Sequence, residues 1–450
     1  MGRHTIDSTK SSRVEKREKF TSGTGFILAC AGAAVGMGNI WMFPWRLGQY
    51  GGAAFLVPYL IFVIMLGTTG LMCEYGLGRW AGKGAVGAFD KVLRTRGLKF
   101  GRLLGAFPIL NASCVFIFYA IVTGWVLKYI YASITGEYLS GVSKGFYFDT
   151  LAGQSVSIYW QLLAIIITGI IVVFGIIKGI ERVNKIIMPV LLVLFLILLV
   201  RSLTLPGAMN GIRYLLSPDW SFLLKPITWG MALGQAFFTV SLGGAAMLVY
   251  GSYLTQDADI PFSAVTTVIL DTLAALLSAL VIIPAIFSYG FDLSAGPSLL
   301  FITLPEIFST MPGGQLFSVM FFTGVLFAAI SSLINMMEII VESLMDQFQL
   351  KREITVIIVA ISGFACGIPL AIDMSLFTKF VDIVTVYFTP LGAAMAAFLF
   401  FWINPIEKAR LAINTGAQHP VGIWWNPMAK YGYVGVAILV VLLQIFYRIG

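Results

Sequence analysis

The sequence predicts an all-α integral membrane protein. It predicts eleven transmembrane helices: a 5+5 inverted repeat with broken first and sixth helices, plus one extra C-terminal helix. Three observations lead there. Of the 450 residues, 58% are hydrophobic and only 11% charged, against about 25% charged in a soluble domain. Apolar windows of about 20 residues, enough to cross a bilayer, recur along the chain. Two of them, the first and the sixth, are interrupted by glycines.

The windows lie near 24–47, 52–76, 104–133, 159–179, 186–205, 228–252, 262–290, 311–345, 354–372, 376–403 and 429–448. Several exceed a simple crossing and must tilt, break or protrude. The expected organisation is a cytoplasmic N-terminal segment (1–23), a first repeat (24–205), an extracellular loop (206–227) and a second repeat (228–403). A cytoplasmic loop (404–428) and the eleventh span with an outside C-terminus (429–450) follow. Most of the 29 Lys and Arg residues fall on one side of this arrangement. They include Arg3, Lys10, Arg13, Lys16, Arg17 and Lys19, then Arg79, Lys83, Lys91, Arg94, Arg96, Lys99 and Arg102. The positive-inside rule puts that side in the cytoplasm.

Topology thus explains the formal net charge of +8, and no nucleic-acid partner is expected. The N-terminus has no secretory signal shape and lacks the Ser or Thr expected for myristoylation. Cys30, Cys73, Cys114 and Cys366 all fall in apolar segments and read as buried small hydrophobes. His4 and His419 lie outside the spans, and no nucleotide loop has the strand it needs. An enzyme is not expected.

The first break reads GAAVGMGNIWMFP, Gly32 to Pro44. Glycine costs about 1 kcal/mol in a helix interior and proline about 3. One reading is close helix packing through Gly32 and Gly36. The other is unwound backbone lining a cavity, where it can coordinate ions and substrates. A second break, GQAFFTVSLGGAAMLVYGSY from Gly234 to Tyr253, lies in the sixth window. Matched interruptions in two halves point to a transporter site between inverted repeats. The repeat rests on break position alone, since the halves show no convincing residue-level similarity.

With FAAISSLINMM (Phe327 to Met337) and GPSLLFITLPE (Gly296 to Glu306), these motifs resemble bacterial members of the neurotransmitter:sodium symporter family, of the eleven-span type. The resemblance runs from Arg17 to the tenth span. It implies a sodium-coupled amino-acid symporter working by alternating access in the bacterial cytoplasmic (inner) membrane. Its partners would be a small-molecule amino acid, sodium and the lipid bilayer.

Two sodium sites are implied. Sodium is a hard cation that takes oxygen ligands, and unwound carbonyls supply them without a full charge. The first site would use the Ala34 carbonyl, the Asn39 amide oxygen, Thr239 and Asp271, completed by the substrate carboxylate. The second would use the Gly32, Val35 and Ala328 carbonyls with the Ser331 and Ser332 hydroxyls. On the residues alone, interhelical hydrogen bonding is the competing reading of the two serines.

Asp271 stands in VILDTLAALL with no basic neighbour, and an ionisable residue inside a membrane is a functional candidate by default. The competing reading is a protonated Asp bonded to a helix. The family commonly has a neutral Asn here. Chloride-dependent relatives place chloride nearby, and some relatives carry a Glu one turn later, where this chain has Ala275. The resemblance therefore implies chloride-independent transport.

The implied substrate site comprises Ala33, Ala34, Met37, Gly38, Val115, Tyr119, Phe238, Thr239, Ser241, Gly244, Ser332 and Met336. Tyr119 would meet the substrate carboxylate. Gly36 replaces the aspartate of monoamine transporters, which favours an amino acid. Gly244 replaces a bulky residue and is expected to enlarge one wall. That tilts the expectation toward large hydrophobic or aromatic substrates. Arg17 and Asp346 match an intracellular ion pair, with Tyr253 supporting and Phe20 in place of a Trp. Phe238 matches a lid, and Asp382 the acidic half of an extracellular pair. The basic partner's position is Met42, with Arg46 one turn further out as the substitute. Glu74 would face the broken sixth helix; Glu342 reads as interfacial and Glu338 as bonded inside the bundle. Two further readings stay open: proton coupling through Asp271 or Glu74, and a non-transporting sensor on a transporter fold.

Overall fold

The computed structural model describes residues 18–138, 143–291 and 299–447. Among the described residues the regular structure is entirely helical. Eight helices are long and apolar enough to cross a membrane, or nine if one bent pair counts as a span. The bent pair is the first break: Gly23–Ala34 and Gly38–Gln49 meet at 58°. Ser22 caps its start, its hydroxyl accepting from the Gly25 N–H at 3.0 Å, as serine does for an orphan first-turn donor. The first half stops at Val35, whose backbone turns extended (ψ 98°).

Ala53–Ala81, Gly101–Thr135, Val156–Val173 and Ile176–Leu203 follow. The fourth apolar window, expected to run to 179, ends at Val173. Gly175 takes φ +78°, a conformation open to glycine, and the next helix starts at Ile176. The second break separates Pro226–Thr239 from Ala246–Ser252. Then come Ile260–Ser288, Gly314–Phe348, Arg352–Ile372 and Met374–Ile403, and a last helical run over 425–447.

The middle of the bundle is Gly314–Phe348. In its most apolar stretch 67% of residues are buried, against 28% for Ile176–Leu203 at the periphery. It packs along Gly101–Thr135 and touches Gly23–Ala34, which also contacts Ile176–Leu203 and Ile260–Ser288. Ala246–Ser252 packs on the Ala53–Ala81 helix. The broken segments therefore sit inside the bundle, where irregular backbone finds protein partners. Of the four cysteines, Cys30 and Cys73 are buried and Cys114 is half-buried, but Cys366 is exposed. An apolar run in a membrane protein has outward faces as apolar as its inward ones, so hydropathy did not separate them.

Candidate ion and substrate site

The site grows out of the first break. In an uninterrupted helix the Gly36 and Met37 N–H groups would bond the carbonyls of Gly32 and Ala33. Here the Gly36 N–H donates to Asn39 Oδ1 at 3.0 Å and the Met37 N–H to the Tyr119 hydroxyl at 3.1 Å. Both carbonyls are thereby released from the helix ladder. The Ala33 carbonyl accepts from Ser241 Oγ at 2.8 Å and from Ser332 Oγ at 3.4 Å. One strand of freed backbone is thus tied to the second break, to Gly101–Thr135 and to Gly314–Phe348.

At the second break Ser241 takes φ +56° and Gly244 φ +81°. A carboxylate from the neighbouring helix holds this turn. Glu74, 1% exposed, accepts from the Gly243 and Gly244 N–H groups through Oε1 (3.2 and 2.9 Å). Through Oε2 it accepts from those of Met247 and Leu248 (3.1 and 3.2 Å). The orphan donors at the start of Ala246–Ser252 are satisfied by one acceptor-only group. Glu74 therefore does face the broken segment.

Asn39, Thr239 and Asp271, from three separate segments, converge in the core and are all essentially buried. Asn39 Nδ2 donates to Asp271 Oδ1 at 2.7 Å and to Thr239 Oγ1 at 2.9 Å, and Thr239 Oγ1 donates to Asp271 Oδ2 at 2.8 Å. The expectation was that Asn39 offers its amide oxygen. In this arrangement the oxygen takes the Gly36 N–H, and the amide turns its donors to a carboxylate that only accepts. Among the described residues no three of His, Cys, Asp and Glu gather as a metal cluster, so a cation here would rely on hydroxyl, amide and carbonyl oxygens beside one carboxylate.

Of the residues expected at the second sodium site, Gly32 comes against Ser331 where Gly23–Ala34 packs on Gly314–Phe348. Ala328, Ser331 and Ser332 are buried. Ser331 Oγ donates to the Ala328 carbonyl at 2.9 Å. A Cβ on Gly32 would stand 3.2 Å from the Ser331 Cβ. Val35 ends the same helix half.

Between the breaks lies a cavity of about 720 Å³, counted to its open side. Ala33, Ala34, Gly38, Val115, Tyr119, Phe238, Thr239, Ser241, Ser332 and Met336, all expected at a substrate site, line it together with Asn39, which was expected as an ion ligand. Phe238 packs against the first break, 2.7 Å from where a Gly38 Cβ would stand. A Cβ on Gly36 would come within 2.8 Å of both the Ser332 and Tyr119 hydroxyls, so the absence of a side chain is part of the site's shape.

Two expected members stand elsewhere. Met37 is buried and lends its backbone N–H, not a wall. Gly244 does not enlarge a wall. A Cβ there would meet the Gly392 carbonyl oxygen at 2.4 Å, and its positive φ already disfavours any side chain. Its role is the close approach of the break to Met374–Ile403. The sequence reading missed three polar lining groups, Asn111, Asn335 and Thr389. Asn335 was legible by spacing, since 332, 335, 336 and 339 share a helix face.

The ends of the bundle differ from expectation. Arg17 lies outside the described residues; Asp346 is half-buried in the last turn of Gly314–Phe348. Tyr253 donates to Glu338 Oε1 at 2.6 Å, and Glu338, inside the bundle as read, also pairs with Arg352. Glu342 is buried, not interfacial, and accepts the Gly84 N–H at 2.9 Å. Phe20 is buried against Phe26, Tyr250 and Tyr253. Glu18 accepts the Ile176 N–H at 2.6 Å and Glu181 the Thr21 N–H at 2.9 Å. These two contacts fasten the residues just before Gly23 to Ile176–Leu203. At the other end Arg46 does not pair with Asp382, which is exposed. It donates to Gln235 Oε1 at 3.0 Å, joining the two broken helices.

Comparison with known proteins places this geometry. The model of the Sodium:neurotransmitter symporter family matches residues 17–142 and 152–448. An uncharacterized sodium-dependent transporter of Bacillus subtilis, YhdH, is 36% identical over 96% of this chain and 98% of its own. An uncharacterized sodium-dependent transporter of Haemophilus influenzae is 31% identical over 96% of this chain and 98% of its own. The crystal structure of MhsT in complex with L-phenylalanine is similar with a TM-score of 0.85 at 35% identity. That likeness covers 95% of this chain and 99% of MhsT.

Proposed function

The chain belongs to the sodium:neurotransmitter symporter family, and from that premise we propose that it couples sodium entry to uptake of a large hydrophobic or aromatic amino acid. Membership makes it a multi-pass, sodium-dependent membrane transporter and not an enzyme. The observation that carries the finer reading is the cavity between the two breaks. Tyr119, whose hydroxyl accepts the Met37 N–H, lines it together with Asn39 and Thr239, the two groups bonded to Asp271. A substrate carboxylate at that hydroxyl meets backbone N–H groups at the start of Gly38–Gln49, the end of a helix that favours anions. Its ammonium group meets released carbonyls.

In this reading two sodium ions are cargo. One sits among Ala34, Asn39, Thr239 and Asp271, in contact with the substrate carboxylate. The other sits among Gly32, Val35, Ala328, Ser331 and Ser332. Asp271 supplies the negative charge beside the first ion, so transport runs without chloride. The eleven spans form two five-helix repeats that rock around the site, plus the C-terminal helix. The N-terminus is inside and the C-terminus outside the bacterial inner membrane. The mostly apolar lining of the cavity and the L-phenylalanine bound to MhsT support the substrate class.

Uptake of labelled amino acids into proteoliposomes tests this. A sodium gradient should drive uptake of phenylalanine or a similar amino acid in chloride-free buffer. Uptake driven equally by a proton gradient without sodium would favour proton coupling through Asp271 or Glu74, the two buried carboxyls near the breaks.

A further inference from the structure

The walls of the cavity are mostly apolar, among them Ala112, Val115, Phe238, Leu242, Met336 and Ile339. One polar group among them is unanswered. Asn335 is 2% exposed and lines the cavity, yet its Oδ1 is buried with no hydrogen-bond partner. Leaving such an acceptor unpaired costs about 1–3 kcal/mol, so an unpartnered amide in a site argues for a ligand that answers it.

Its position says which part of a ligand. Ser332, Asn335, Met336 and Ile339 follow i, i+3, i+4 and i+7 spacing and form one stripe along the cavity. Ser332 touches the first break through the Ala33 carbonyl, near Tyr119. Asn335 lies about 4.5 Å further along the helix axis, and Ile339 about 10.5 Å. Asn111, eight residues before Tyr119 on the facing helix, is about 12 Å from it along the axis. Its Oδ1 accepts from Thr389 Oγ1 at 3.1 Å, and its Nδ2 lies 3.4 Å from where a Gly243 Cβ would stand. The part of the cavity away from the carboxylate end is thus an apolar sleeve with two amides in it.

We propose that Asn335 is a specificity-determining residue that receives a hydrogen-bond donor at the far end of the substrate's side chain. The inference rests on the amino-acid reading above and narrows it: the substrate is an aromatic amino acid with a polar tip. A phenol fits best. Its ring fills the apolar sleeve, its O–H donates to the Asn335 amide oxygen, and its oxygen accepts from an amide N–H such as that of Asn111. An indole N–H satisfies the first of these contacts. Phenylalanine satisfies neither, and its ring would bury the Asn335 oxygen without a partner.

Tyrosine and phenylalanine are therefore the matched pair. Their affinities are measured for the purified full chain in sodium, by competition against one labelled amino acid. Tyrosine should bind at least about tenfold tighter, the equivalent of one buried hydrogen bond. Asn335→Leu should abolish that preference while phenylalanine still binds; Asn335→Ser, which keeps a polar group, should retain part of it. Equal affinities in the unaltered protein overturn the proposal whether or not the variants fold. A tyrosine preference that survives Asn335→Leu overturns it too. Failure of both amino acids, and of the wider amino-acid panel, to bind would overturn the amino-acid reading itself, which equal affinities would leave standing.

Discussion

Replacing Glu74 by glutamine tests whether the second break is held open by a single carboxylate. The side chain keeps its size and one oxygen. Its other oxygen becomes an NH2 group facing two backbone N–H donors. With four bonds of 2.9–3.2 Å in place, either orientation of the amide leaves a pair of buried donors unpaired. At about 1–3 kcal/mol for each, Glu74→Gln should destabilise the protein by about 2–6 kcal/mol. Gly243, Ala245 and Ala246 line the cavity, so loosening this turn should also weaken sodium-dependent substrate binding. Thermal unfolding of the purified chain, with and without sodium and substrate, reads both effects. An unchanged melting temperature in Glu74→Gln would show that the four N–H groups are satisfied otherwise, and the reasoning would fail.

Three further expectations follow from the same geometry. Gly244→Phe should weaken all amino acids alike, because the added side chain meets the Gly392 carbonyl and a positive φ; in a binding panel, loss confined to large substrates would restore Gly244 to the pocket wall. Asp271→Asn should cripple uptake or make it anion-dependent, and full uptake by that variant in chloride-free buffer would count against the role of its charge. Tyr119→Phe removes the hydroxyl on the Met37 N–H and should lower affinity about tenfold for every amino acid. Titration across side chains checks this, and a loss that tracks the side chain contradicts it.

The breaks were legible because glycine and proline inside an apolar window violate the one rule that a membrane helix otherwise keeps. The family resemblance that these motifs carry implied the grouping of Asn39, Thr239 and Asp271, and the three side chains do hydrogen-bond to one another. Other features were hidden for physical reasons. A glycine in a sequence signals small size and unusual φ equally, so Gly244 read as spare volume when it serves a close backbone approach. Hydropathy does not distinguish a helix face turned to lipid from one turned to protein, which misplaced Cys366. A single window ran through Gly175 because the residues on both sides are apolar. Arg46 was read by its charge and assigned to Asp382. Its partner is the neutral Gln235 on the other broken helix, a choice that depends on which helices meet. Asn335 was passed over beside the two serines, although the same spacing places it on the cavity.

The central claim is that substrate and sodium share one site, the substrate carboxylate completing the shell around the ion at Asn39, Thr239 and Asp271. Binding free energies coupled in this way are reciprocal. The direct measurement is a titration of amino-acid affinity against sodium, with choline as the replacement, matched by a titration of sodium affinity against the amino acid. The account predicts that each ligand raises the other's affinity by the same factor, and that Asp271→Asn reduces that factor. Amino-acid affinity that is the same in sodium and in choline would contradict it.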